Sequence, residues 1–168
     1  MTMQPILLLQ GLLHRLTAGA LGVVVLAALA AGPAAAQSGE AGAAEALAIK
    51  ADDPSLEWGP CPDFMPAGCA IALLQGNPGE PRADIFFRLD GGAEVVRHWH
   101  TSAERMVLVA GEMTVDYDGQ DPVTLESGTY AYGPPELPHS AECVSSEACV
   151  LFIAFNEPID AAPVAETN

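Results

Sequence analysis

The sequence predicts an all-β domain, a sandwich or barrel, from three observations. Between Ala70 and Phe155 the chain breaks into short β-rich runs. Gly, Pro, Asn and Asp turn signals separate these runs at close, regular spacing. After residue 36 no segment keeps a 3.6-residue apolar period for a dozen residues, so no large helix is expected.

Residues 1–36 stand apart from that pattern. They carry one charge, Arg15, ahead of an apolar run from Leu16 to Ala31, and end in Ala34-Ala35-Ala36. A basic start, an apolar stretch and a small-residue cleavage signature make a secretory signal peptide cut near Ala36/Gln37. The run is shorter than the ~20 apolar residues of a spanning helix, and Gly19 and Gly22 interrupt it. No twin arginine is present, which points to export of an unfolded chain and a secreted or periplasmic destination. Residues 37–54, rich in Ala, Gly and Glu, read as a flexible leader, and 158–168 as a flexible tail. One ordered domain is expected at 55–157.

Within it the predicted strands run in order: AIALLQ from Ala70, ADIFFRL from Ala83, AEVVRHWH from Ala93, RMVLVAG from Arg105, EMTVDYDG from Glu112, PVTLES from Pro122, TYAYG from Thr129, HSAEC from His139 and CVLFIAF from Cys149. Turns are marked by Gly76-Asn-Pro-Gly79, Asp90-Gly-Gly92, Ala110-Gly-Glu112, Asp118-Gly-Gln-Asp-Pro122 and Gly133-Pro-Pro135.

The full chain carries a net charge of −16, with every one of its 22 acidic residues after residue 36; losing Arg15 with the signal makes it one unit more negative. Phosphate backbones and anionic lipid surfaces repel such a polyanion. Nucleic acid is therefore excluded as a partner, and so is the membrane after signal cleavage. A homodimer is compatible with the sequence. Cys61, Cys69, Cys143 and Cys149 all follow the signal, so disulfides are the default and three connectivities are open. The local pairs Cys61–Cys69 and Cys143–Cys149 are preferred. Neither pair has the Cys-x2-4-Cys spacing of a zinc site.

The chain has only four histidines, and two of them sit two apart in GAEVVRHWHTSAERMVLVAG, residues 92–111. In a strand, i and i+2 share a face, so His98 and His100 project together with Trp99 opposite. Glu104 lies beyond a short turn, at the head of a strand whose Met106 and Leu108 share its face. His139 follows a proline-rich turn and is the one histidine left for the fold, since His14 belongs to the signal.

These residues resemble those of the cupin superfamily, in particular its small exported single-domain members. Gly92, His98, His100, Glu104 and Gly111 fit the first cupin motif, Gly-x5-His-x-His-x3-Glu-x6-Gly, at every position. Gly128 to Cys143 resembles the second, Gly-x5-Pro-x-Gly-x2-His-x3-Asn, with Glu136 replacing a glycine and Cys143 an asparagine. The resemblance implies a double-stranded β-helix, or jelly-roll cupin barrel, over 55–157. It also implies one divalent transition metal held by His98, His100, Glu104 and His139. Glu136 bears only on the turn's geometry, and the missing asparagine is no ligand.

Three imidazoles and a carboxylate suit Mn, Fe, Ni, Cu or Zn and disfavour Ca or Mg. Leu151, Ile153 and Phe155, with Met106 and Leu108, are expected to wall an apolar pocket around the ion. Glu104 is then the main candidate acid–base group, so metal-driven chemistry on a small molecule is the favoured reading: a dioxygenase-type enzyme for diketone, oxalate-like or aromatic compounds. The alternatives are a non-catalytic small-ligand or metal-binding sensor module and a metal-binding protein without turnover. A cupin fold alone does not choose among them.

Overall fold

The computed structural model describes residues 46–165. The expected signal peptide, the leader up to residue 45 and residues 166–168 lie outside them. Each predicted run is a strand: β2 (Ala70–Gln75), β3 (Asp84–Leu89), β4 (Glu94–Trp99), β5 (Glu104–Ala110), β6 (Glu112–Tyr117), β7 (Val123–Glu126), β8 (Tyr130–Gly133), β9 (His139–Cys143) and β10 (Cys149–Phe155). Two short strands, β1 (Trp58–Pro60) and β11 (Ala162–Pro163), lie outside the predicted set. Among the described residues no helix is long and apolar enough to cross a membrane.

Two antiparallel sheets form the barrel, one ordered β1-β2-β3-β10-β5-β8 and the other β11-β4-β9-β6-β7. Alternation along each strand decides what faces inward. On β10, Cys149, Leu151, Ile153 and Phe155 are inside, and on β5 Glu104, Met106 and Leu108. The second sheet contributes Val95, Met113, Val115, Tyr117 and Leu125. Each buried aliphatic side chain stabilises the fold by roughly 1.5–3 kcal/mol relative to its exposed state.

Register shifts occur at Leu73/Gln75 between β2 and β3, at Val150/Leu151 between β10 and β5, and on β4, where the shift bears on the histidines. The register of β4 against β9 passes from Val95↔Ala141 to His98↔His139, three residues against two. That bulge leaves Val96 and Arg97 both exposed and turns Val95 and His98 both inward. Bulges re-aim side chains beside functional sites, and this one aims His98.

Segments on both sides of the expected domain make contacts with it. Ile49 and Ala51, within the expected leader, pack with Leu56 and Trp58 over Ala72, Phe86 and Val150 on the outer face of the first sheet. Residues 159–164, within the expected tail, also contact the barrel. Ala162 pairs with Trp99 and Pro163 with His98, and Ile159 and Val164 donate backbone hydrogen bonds to Pro78 and Arg97. Composition reads these segments as loose because Ala, Gly and acidic residues dominate them; Ile49, Ala51 and Ile159 are nevertheless half-buried against the barrel, while Leu47 stays exposed.

Both preferred disulfides are formed, Cys61–Cys69 and Cys143–Cys149. Gly111, at φ 82°, is required beside the second: a Cβ there would lie 2.9 Å from Cys149 Cα and Sγ. Each bridge closes a short loop and should add about 2–3 kcal/mol in the chain-entropy account. Peptide mapping without reductant should recover these two linkages. A Cys61–Cys143 or Cys61–Cys149 peptide would overturn the assignment.

Candidate metal centre

His98 and His139 are cross-strand partners, and His100 follows β4 at the start of the turn into β5. All three are buried, as is Glu104 at the head of β5. The ring centroids lie 4.8 Å apart for His98 and His100, 4.3 Å for His98 and His139, and 5.3 Å for His100 and His139.

Backbone carbonyls fix the orientation of each ring. His98 Nδ1 meets the Val96 carbonyl at 2.8 Å, in the bulge, and His139 Nδ1 meets that of Leu137 at 3.1 Å. His100 Nδ1 meets the Asp160 carbonyl at 2.5 Å. A carbonyl oxygen only accepts, so each Nδ1 carries the proton and each Nε2 keeps a free lone pair. One ring nitrogen from each histidine comes within 4.8 Å of the others. Tying the far nitrogen to a carbonyl is how proteins orient metal-ligating imidazoles.

Burial holds the set in the protonation state a metal needs. It pushes the His98 imidazolium down to about 3, helped by His139 and His100 nearby, and lowers His100 and His139 as well. All three are neutral at pH 7. Glu104 lies with Oε1 3.5 Å from His100 Nε2 and Oε2 3.7 Å from His139 Nε2. Beside neutral rings, and too far for hydrogen bonds, these contacts are not ion pairs. Burial raises the Glu104 carboxyl to about 7; the Asp160 charge adds to that, and His139 opposes it.

The donor set fits a transition metal. Three neutral imidazoles converge, and a carboxyl beside them is poised to lose its proton to a cation. The four residues anticipated as ligands are thus brought together at one place.

The site opens onto a cavity of about 140 Å³. Ile85, Phe87, Met106, Leu151, Ile153 and Phe155 form much of its apolar wall. Leu108, expected in that wall, lies deeper in the core. Tyr130 and Tyr132 are exposed on the edge strand β8, and Arg88 stacks 4.4 Å over Trp58 on the outer face, so none of them reaches the centre.

Two site residues escaped sequence reasoning. Tyr117 lines the cavity opposite His139, with ring centroids 5.0 Å apart, and its buried hydroxyl has no hydrogen-bond partner. A Cβ on Gly133 would meet that hydroxyl at 3.0 Å and Glu104 Oε2 at 3.1 Å. Burial and the Glu104 charge push the phenol's ionisation up, so it stays a donor. Its signal was parity alone: Met113, Val115 and Tyr117 alternate inward on β6. Asp160 gave no local signal, because its partners are 59 and 60 residues away.

The cupin domain family matches residues 85–155, a span that holds the whole histidine set. Residues 85–155 form a cupin domain. Solved structures similar to it include the DMSP lyase DddQ from Ruegeria pomeroyi DSS-3, at 18% identity over 64% of this chain and 60% of that one, TM-score 0.56. An RmlC-like cupin from Shewanella frigidimarina NCIMB 400 matches at 25% identity, over 62% of this chain and 86% of that one, TM-score 0.52. Oxalate decarboxylase from Bacillus subtilis matches at 20% identity, over 66% of this chain and 30% of that one, TM-score 0.53. The chain thus spans 60% of the DMSP lyase and less than a third of the decarboxylase, and these likenesses speak to fold. A comparison of the sequence with curated proteins finds no match.

The cupin turn that departs from the second motif keeps its geometry. Glu136 adopts φ 60°, in the left-handed region that glycine occupies without steric cost. Its N–H donates to the His100 carbonyl at 2.7 Å, tying the two motifs together.

Proposed function

We propose that this protein is an exported metalloenzyme acting on a small molecule bound in the cavity. His98, His100, His139 and Glu104 hold one divalent transition metal. The observation that carries this reading is the orientation of three buried, neutral imidazoles toward one point beside an apolar cavity.

When bound, the metal supplies Lewis acidity and, for a redox-active ion, access to dioxygen chemistry. The chain supplies the rest. Apolar walls exclude water and hold the body of the molecule. The three carbonyl-tied imidazoles keep the donor set rigid. Glu104 holds the ion as its one anionic donor, giving up the proton that burial favours in the metal-free protein, and is the candidate acid–base group at the centre. A dioxygenase-type activity is the finer form of the proposal. Residues 1–36 serve as the secretory signal, and two disulfides suit the oxidising compartment that export would reach.

After reconstitution with Mn, Fe, Ni, Cu or Zn, elemental analysis should find one ion per chain. His100→Ala should weaken binding at least tenfold, since it removes one donor and leaves its neighbours less supported. Wild type and variant equally metal-free would end the metal reading. Oxygen uptake by the loaded protein with diketones or simple aromatics supports the enzyme. Binding without turnover, across all five metals, would move it to the non-catalytic ligand-binding class.

A further inference from the structure

The cavity's charge inventory restricts what the proposed metal site accepts, an inference that rests on that site. Besides Arg15, the chain has five basic residues. Lys50 and Arg82 are exposed. Arg88 lies over Trp58, Arg97 pairs with Asp118, and Arg105 donates to Asn156. None of the five lines the cavity, whereas Glu104 and Asp160 do.

A divalent ion with ionised Glu104 leaves one net positive charge. Asp160 adds a negative charge at the rim, where its carboxylate accepts from Thr101 N and Oγ1 at 2.9 and 2.7 Å. The three imidazoles contribute no charge. A monoanion on the metal cancels the one positive charge at the ion, leaving only the hydrogen-bonded Asp160 carboxylate at the rim. A dianion leaves one negative charge uncompensated among apolar walls, with no cation to pair it, and burying such a charge is strongly unfavourable.

We propose that the cavity takes a small molecule that brings at most one negative charge to the metal and an apolar body to the walls, and that it discriminates against small dicarboxylates. Of the candidate substrates, this favours diketones and aromatic compounds over oxalate.

Oxamate and oxalate isolate the charge: they have nearly the same shape, and an amide replaces one carboxylate. Protein shown by elemental analysis to carry one Zn per chain would be titrated with each at pH 8 by calorimetry. Each affinity would be divided by the probe's affinity for the aqueous ion. The ratio for oxamate should exceed that for oxalate at least tenfold. Ile159→Lys, which puts an ammonium on the half-buried cavity wall, should raise the oxalate ratio at least tenfold while metal content stays unchanged. Benzohydroxamate should bind more tightly than acetohydroxamate, about tenfold, through burial of its ring. An oxalate ratio equal to or above that of oxamate overturns the charge argument, and equal hydroxamate affinities overturn the apolar one. Failure to load metal sinks the metal reading, and this inference with it, before any titration.

Discussion

Metal affinity should fall at least a hundredfold between pH 8 and pH 5, with at least one proton released per ion bound at the acid end. The cause is Glu104, whose carboxyl burial raises to about 7. Below that pH the metal-free protein holds a proton there that an incoming cation must displace, so each further unit costs about tenfold in apparent affinity. The histidines compete less in this window than free imidazoles would. Burial holds His98 at about 3 and lowers His100 and His139 below the ordinary imidazole value. Calorimetry in two buffers of different ionisation enthalpy would count the protons directly. The same affinity at pH 5 and pH 8 would remove Glu104 from the metal's surroundings. Release of two or three protons per ion at pH 6 would mean that the imidazoles titrate as if exposed.

In the metal-free protein the histidines and Glu104 push the acid response of stability in opposite directions. Histidines depressed in the fold stabilise it less as pH drops, since the unfolded chain takes up protons near 6.5 that the native rings refuse. Glu104 acts the other way, favouring the fold as it gains its proton. Between 4.5 and 6.5 the depressed histidines therefore oppose Glu104.

Much of the fold was legible because antiparallel strands advertise themselves locally. Runs such as ADIFFRL and CVLFIAF carry their own periodicity, and the turns between them carry glycine and proline. The cupin motifs then brought four distant side chains into one expectation, and the structure brings those same four together. What was not legible depends on long-range contact. β11 has two residues and exists only because β4 offers it an edge. The bulge at Val96–Arg97 leaves no compositional trace, yet it decides which way His98 points. Asp160 sits in a segment poor in apolar residues, and its carbonyl matters only because His100 lies under it. Ile49 and Ala51 looked like part of a loose leader because Ala and Gly dominate their neighbourhood. The outer face of the first sheet, which covers them, is assembled from strands much further along the chain and leaves no mark on that stretch.

Glu104→Gln should move stability and metal binding in opposite directions. In the metal-free fold this carboxyl is destabilising once ionised. Its value is 4.5 in the unfolded chain and about 7 in the fold, so the native state binds the proton more tightly. Stability is then intact below about 4.5 and lost as pH rises through 7, by roughly 3 kcal/mol. Glutamine keeps the shape without the charge. At pH 8 the metal-free variant should therefore melt higher than wild type, by roughly 10 °C for a domain of this size. Its metal affinity should drop roughly a hundredfold or more, because the anionic donor is gone and only neutral imidazoles face the cation. At a free metal concentration about a hundred times the wild-type Kd, wild type gains about 2.7 kcal/mol and the variant only about 0.4. The gap between their melting curves should thus narrow sharply when metal is added. A residue that merely packs the core would lose stability with and without metal alike. If the metal-free variant melts below wild type at pH 8, Glu104 is held by native interactions that outweigh its burial, and its place as the proposed fourth ligand loses its electrostatic basis.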